Sequence, residues 1–146
     1  MNAARAALVA HIKTSTVTFE LVKPYAGELA RSIKNPQLLT VDLPGKNMPA
    51  ALVLYTRGTL RPDSAQHPFD VLVITRTETL KREANATDAL TQAEALALWL
   101  MGNFDFTDAG YDYTINLDTG IDTEQVLLSN QYAVVRLGLT IDAITL

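Results

Sequence analysis

The sequence predicts an α+β fold: a mainly antiparallel sheet flanked by about three helices, in one domain spanning residues 1–146. Three observations carry this expectation. Two apolar runs of strand length, 48–57 (MPAALVLYTR) and 68–77 (PFDVLVITRT), stand close together in mid-chain. Three other stretches place apolar residues at helical spacing. The last third of the chain alternates apolar and polar residues at the period of a strand.

The two mid-chain runs organise the rest. In the first, Leu52 and Leu54 point one way and Val53 and Tyr55 the other; in the second, Leu72 and Ile74 oppose Val71 and Val73. A strand that is apolar on both faces must be covered on both faces. The link at 58–67 (GTLRPDSAQH) is polar and carries Gly58 and Pro62. The pair therefore reads as neighbouring central strands in antiparallel order.

Taken in order, Asn2 can cap a first helix over Ala3–Lys13, with Ala4, Leu8 and Ile12 as its apolar stripe and Arg5 and Lys13 off it. Val17, Phe19 and Leu21 then alternate with Thr18 and Glu20 as a half-buried strand. Pro24 opens a second, short helix carrying Tyr25, Leu29 and Ile33 on one face, and Pro36 stops it. Residues 35–47 form a long connection with a Pro44-Gly45 turn, folded back on the core through Leu38, Leu39, Val41 and Leu43. After the central strands, 78–88 (ETLKREANATD) reads as a polar, mobile excursion.

A third helix follows. Thr91-Gln92-Ala93-Glu94 has the spacing of a capping box, Ala93, Leu96, Ala97 and Leu100 form the buried stripe, and Gly102 stands at the left-handed C-cap position. Trp99 falls on a flank. Next, Tyr111, Tyr113, Ile115 and Leu117 alternate with polar residues, Thr119-Gly120 makes a turn, and 126–128 pairs as a hairpin with 132–143 through Ser129-Asn130. In that last strand Ala133, Val135, Leu137, Leu139 and Ile141 face inward while Arg136, Thr140 and Asp142 face outward, which predicts an outer strand with one solvated face.

Composition bounds the function classes. A charged content of 19% beside 48% hydrophobic residues is that of a globular chain, not a disordered one. A net charge of −4 gives no general attraction to nucleic acid or to an anionic membrane. With no cysteine there are no disulfides, thiolate metal sites or thiol nucleophiles, which suits a reducing compartment. The N-terminus lacks the basic start and apolar core of a signal peptide, and no apolar stretch approaches the ~20 residues of a spanning helix.

The residues that could carry chemistry form no familiar set. His11 and His67 lack partners at metal-ligand spacing, and no serine elbow or phosphate loop is present. Asp105, Asp108 and Asp112, around Gly110, are the one dense acidic group; their spacing is not that of a calcium loop, and they read as a solvated turn leading into a strand. No catalytic residue, metal ligand or cofactor site is predicted.

Three short motifs and the order of elements resemble the tail-terminator proteins of Mu-like bacteriophages and prophages. The helix Ala3–Lys13 and a strand are followed by Pro24-Tyr25-Ala26-Gly27-Glu28-Leu29, then by Met48-Pro49-Ala50-Ala51-Leu52-Val53, and the chain closes with Tyr132-Ala133-Val134-Val135-Arg136. The resemblance implies a structural protein with no catalytic residues. It implies a homo-oligomeric ring, usually a hexamer, at the tail–head junction of the virion, assembled in the bacterial cytoplasm. Its partners would be the tail tube protein, the sheath if the tail is contractile, and the head–tail connector. DNA would pass through without specific binding.

Under that reading Lys81, Arg82 and Glu83 are the candidate loop for contact with a neighbouring protomer or the tail, and Asp105, Asp108, Asp118 and Asp122 are the candidate channel-facing acids. A lining poor in Lys and Arg keeps phosphates from sticking. A sheet apolar on both faces, with few helices to cover it, also predicts self-association. The alternatives are another neck component, such as a head-closure or collar protein, and a small cytoplasmic enzyme with an acidic site around Asp105 to Asp112.

Overall fold

Two long strands form the spine of the molecule. In the computed structural model, which describes residues 3–25, 49–55, 58–76, 82–128 and 132–146, strand β4 (Ser64–Arg76) and strand β8 (Tyr132–Thr145) pair antiparallel from Ser64↔Ile144 to Arg76↔Tyr132. The other edge of β4 is shared by β2 (Ala50–Tyr55) and the short β3 (Thr59–Leu60). The other edge of β8 is shared as well: β6 (Tyr111–Ile115) lies along its end and β7 (Asp122–Leu128) along its beginning. Strands β1 (Leu21–Pro24) and β5 (Asp105–Asp108) complete a curled sheet of order β1-β2-β4-β8-β6-β5.

The central pair falls where the apolar runs place it, with Ala50↔Ile74 through Tyr55↔Phe69 in register. The hairpin of β7 with β8 is present too, although β7 begins earlier, at Asp122. The sheet is mixed and not simply antiparallel, because β1 runs parallel to β2. Parallel neighbours need a crossover of a dozen or more residues, and the chain between Pro24 and Ala50 has that length. The last strand is not an outer one: its alternation is as expected, but β4 on one edge and β6 with β7 on the other place it inside the sheet. Alternation reports which face is buried and carries no information about how many neighbours a strand has.

Both helices of the described residues, α1 (Ala3–Lys13) and α2 (Arg82–Asn103), contribute to the main core. Ala4, Leu8 and Ile12 of α1 and Ala93, Leu96 and Leu100 of α2 join Val53, Phe69, Val71, Leu137 and Ile141 of the sheet there. The opposite face carries a second cluster of Tyr25, Ala50, Leu52, Leu54, Leu72, Ile74 and Val134. Leu52, Leu72 and Ile74 are fully buried, so the sheet is apolar and covered on both faces. Each fully buried side chain of this kind stabilises by roughly 1.5–3 kcal/mol relative to exposure.

Among the described residues there are two helices; the first has the expected bounds and the second does not. Pro24 ends β1 and does not open a helix; the remainder of that expected helix, and the connection at 35–47, lie outside the described residues. Residues 17–20 are irregular, so the strand starts at Leu21. Helix α2 starts at Arg82, which makes the second half of the expected polar excursion helical. Arg82, Glu83, Ala84, Ala86, Ala89 and Leu90 are strong helix formers; they outnumber Asn85, Thr87 and Asp88 and carry the helix past the capping signal read at Thr91. Thr91 and Glu94 therefore sit exposed inside the helix. Ala89 adds a turn to the buried stripe of Ala93, Leu96, Ala97 and Leu100. Gly102 is helical, and the end is closed by Asn103, whose Nδ2 donates to the Trp99 carbonyl at 2.8 Å.

Candidate functional site

The acidic segment is a β-hairpin and not a loose turn. Ala109 and Gly110 both adopt positive φ, 51° and 81°, the two-residue turn whose twist suits antiparallel strands. It joins β5 to β6 with Asp105 opposite Thr114 and Thr107 opposite Asp112. Side chains two apart on a strand share a face, so Asp105 and Asp112 meet diagonally. A hydrogen bond with Asp105 raises the Asp112 carboxyl above its ordinary value, helped by desolvation and by the Asp105 charge. Asp112 thus holds its proton more readily than an isolated carboxylate does.

Of the four candidate channel acids, the hairpin holds Asp105 and Asp108. Asp118 lies in the turn after β6, and Asp122 opens β7 opposite Gly138. All four are exposed. Among the described residues no three or more acidic or histidine side chains are gathered so as to hold a metal ion. Of the candidate contact residues, Lys81 lies outside the described residues, and Arg82 and Glu83 belong to the first turn of α2.

The turn carrying Asp118 is braced by Asn116. Its Oδ1 accepts from the N–H groups of Asp118 and Thr119 at 3.0 and 3.1 Å, and its carbonyl accepts from Gly120 N–H at 3.1 Å. Gly120 has φ +67°, which an L side chain rarely tolerates. The turn holds Leu117, expected as the last residue of the strand, 64% exposed.

A cavity of about 350 Å³ opens at the end of the sheet where β4 and β6 begin and β8 ends. Its walls are Ala3 at the start of α1, Leu60 and Arg61 beside β3, Ser64 and His67 of β4, and Tyr111 and Tyr113 of β6. Tyr111 and Tyr113 lie side by side, their rings tilted by 46° with centres 6.2 Å apart. Tyr113 continues to Phe106 at 5.8 Å, and His11 on α1 touches Phe106 and Phe104 at 6.0 and 4.9 Å, an aromatic row from the cavity to the first helix. His11 is thus half-buried and oriented, its Nδ1 2.9 Å from the Ala7 carbonyl oxygen.

The electrostatics of the cavity are set by burial. Desolvation lowers the His67 imidazole and raises the Tyr113 phenol, with Asp108 and Tyr111 adding to the latter. Both groups are thereby favoured in their neutral forms. Arg61 is exposed, and among the described residues its guanidinium forms no ion pair. The walls therefore combine apolar and aromatic surface with one cation. The Tyr-x-Tyr spacing in 111–113 marks a shared face in the sequence, but nothing there reveals that Arg61, fifty residues earlier, would stand beside it.

Fold and geometry define an α+β protein with one curled mixed sheet, a helical layer against its main core, and a cation-bearing aromatic cavity at one sheet end. The chain matches no family model and no curated protein.

Proposed function

We propose that the chain is the ring-forming tail terminator of a Mu-like bacteriophage or prophage. On this reading it caps the tail tube, ends its polymerisation and provides the head-docking surface. One observation supports the reading above others: segments that carry the sequence resemblance are the ones that build the centre of the fold. Helix α1, the proline-led strand β2 and the final strand β8 all contribute buried residues to the same core, with β4 lying between β2 and β8. A protomer of this role needs a rigid sheet presenting exposed turns to its neighbours. Leu60, Leu117 and Leu146, 79%, 64% and 76% exposed, offer apolar surface of the kind that marks protein contacts when grouped.

The partners follow from the same reading: a homohexamer, the tail tube protein, the sheath in a contractile tail, and the head–tail connector, with DNA passing through unbound. A head-closure or collar protein shares these requirements and is separated from a terminator by where the ring sits. Mass measurement in solution at high protein concentration, with electron microscopy of purified tails, tests the reading. Closed rings in solution and at the head-proximal tail end are expected. A strict monomer together with bare tail ends overturns it.

A further inference from the structure

We propose that the Leu117–Asp118 turn of one copy seats in the Arg61–Tyr111 cavity of the next. The inference rests on the ring reading and supplies the contact that would build the ring. The two surfaces are complementary in chemistry. The cavity offers apolar and aromatic walls, the 79%-exposed Leu60 on its rim, and a guanidinium with no ion-pair partner among the described residues. The turn offers a leucine that is 64% exposed and, beside it, an exposed carboxylate. Arg and Tyr are the residue types over-represented where interface energy concentrates.

The turn is held in shape before any contact forms. The Asn116 side chain fixes the N–H groups of Asp118 and Thr119, so little ordering is left to be done on binding. Within one chain the two surfaces cannot meet. Tyr111 and Leu117 stand at opposite ends of β6, about 20 Å apart at roughly 3.3 Å per residue. A second copy is needed to bring turn and cavity together. Made once per interface and not exchanged reciprocally, the contact is head-to-tail, the kind that closes into a ring when the rotation per copy permits.

The test is a charge exchange with a covalent check. R61E and D118K should each weaken self-association roughly tenfold or more, as loss of an interfacial charge partner does. The double variant R61E/D118K should restore it. Because the chain has no cysteine, the pair R61C/D118C should form disulfide-linked multimers on a non-reducing gel. Circular dichroism checks that each variant is folded, and L117A, which changes no charge, should weaken association as well. Wild-type mass in both single charge variants, or absence of linked multimers while the native protein is oligomeric, overturns this contact and leaves the ring standing. A wild-type monomer at high concentration, together with bare tail ends, overturns the ring and the contact together.

Discussion

Arg136 on β8 and Asp70 on β4, sixty-six residues apart in sequence, are joined by a 2.7 Å ion pair between Nη1 and Oδ1. Gly138 makes the reach possible. It lies directly opposite Asp70, and a Cβ there would sit 2.8 Å from Arg136 Nη1. On its other side Arg136 donates from Nε and Nη2 to Glu124 of β7 at 3.2 and 3.0 Å. One guanidinium thus ties three strands together beside the second apolar cluster. The hydrogen bond to Asp70, with Glu124 adding to it, raises the Arg136 pKa and so favours the charged guanidinium.

The two partners should not count equally. Asp70 is the less exposed carboxylate, 21% against 59% for Glu124. D70N is expected to cost about 1–2 kcal/mol, as a hydrogen bond to a charged group does, and E124Q less than about 0.5 kcal/mol. G138A should cost about as much as D70N, because the guanidinium must move off Asp70. D70N and G138A together should cost less than their sum. Urea unfolding of the four variants measures this; strict additivity would show that Gly138 has nothing to do with the pair.

The helical context of Thr91 yields a prediction of sign. A true N-cap threonine replaced by alanine loses about 1 kcal/mol. Inside a helix and exposed, the same change gains a few tenths of a kcal/mol from alanine's higher propensity. T91A is therefore expected to raise the thermal midpoint slightly. A lowered midpoint would mean that the helix begins at Thr91 after all.

Gly58 is required by what it faces. A Cβ at this position would collide with the Tyr55 hydroxyl and lie 3.0 Å from His67 Nδ1, which is hydrogen-bonded with that hydroxyl at 3.3 Å. G58A should destabilise by roughly 1–3 kcal/mol through this overpacking. In a Y55F background, where the colliding oxygen is gone, the penalty should shrink. An equal cost in both backgrounds, measured by chemical denaturation, would place the strain elsewhere.

Two groups give the stability curve its shape against pH, in opposite directions. Burial lowers the folded His67 below 6.5, so as pH falls through that value the unfolded chain takes up the proton first and stability declines. Asp112 is raised above 3.8, so there the folded chain takes up its proton first and stability recovers as pH falls through the raised value. Urea midpoints should therefore drop between neutral pH and the acidic side of His67 titration, and H67Q should flatten that drop. D112N should stabilise at neutral pH by relieving the repulsion from Asp105, and should abolish the recovery in acid. A wild-type slope retained in H67Q removes His67 from this account.

Much of the sheet was legible because burial leaves a periodic trace. The central pair, the two apolar faces, the first helix stripe and the β7–β8 hairpin all follow from where Leu, Val and Ile recur. What was not legible has a common cause: it depends on neighbours and not on period. The parallel placement of β1, the interior place of β8 and the added strand at Asp105–Asp108 are pairing choices, and an exposed edge strand such as β5 carries too few buried residues to announce itself. The start of α2 is obscured by the four-residue capping pattern at Thr91, a local signal that the helix formers before it override. The acids were visible, whereas the cavity that gathers Arg61, His67 and Tyr111 is assembled from three distant segments.

The spine also sets an order in time. Strand β4 pairs along its whole length with a strand that the ribosome makes more than fifty residues later. Until that strand emerges, one full edge of β4, with Val71, Leu72, Val73 and Ile74 on its two faces, has no neighbour to close it. Pairings between distant segments are slow to form, and open apolar edges are where nascent chains stick to one another. A polypeptide interrupted before Tyr132 should therefore be a client for chaperones and a seed for aggregation. In this protein the closing of that apolar edge waits on β8.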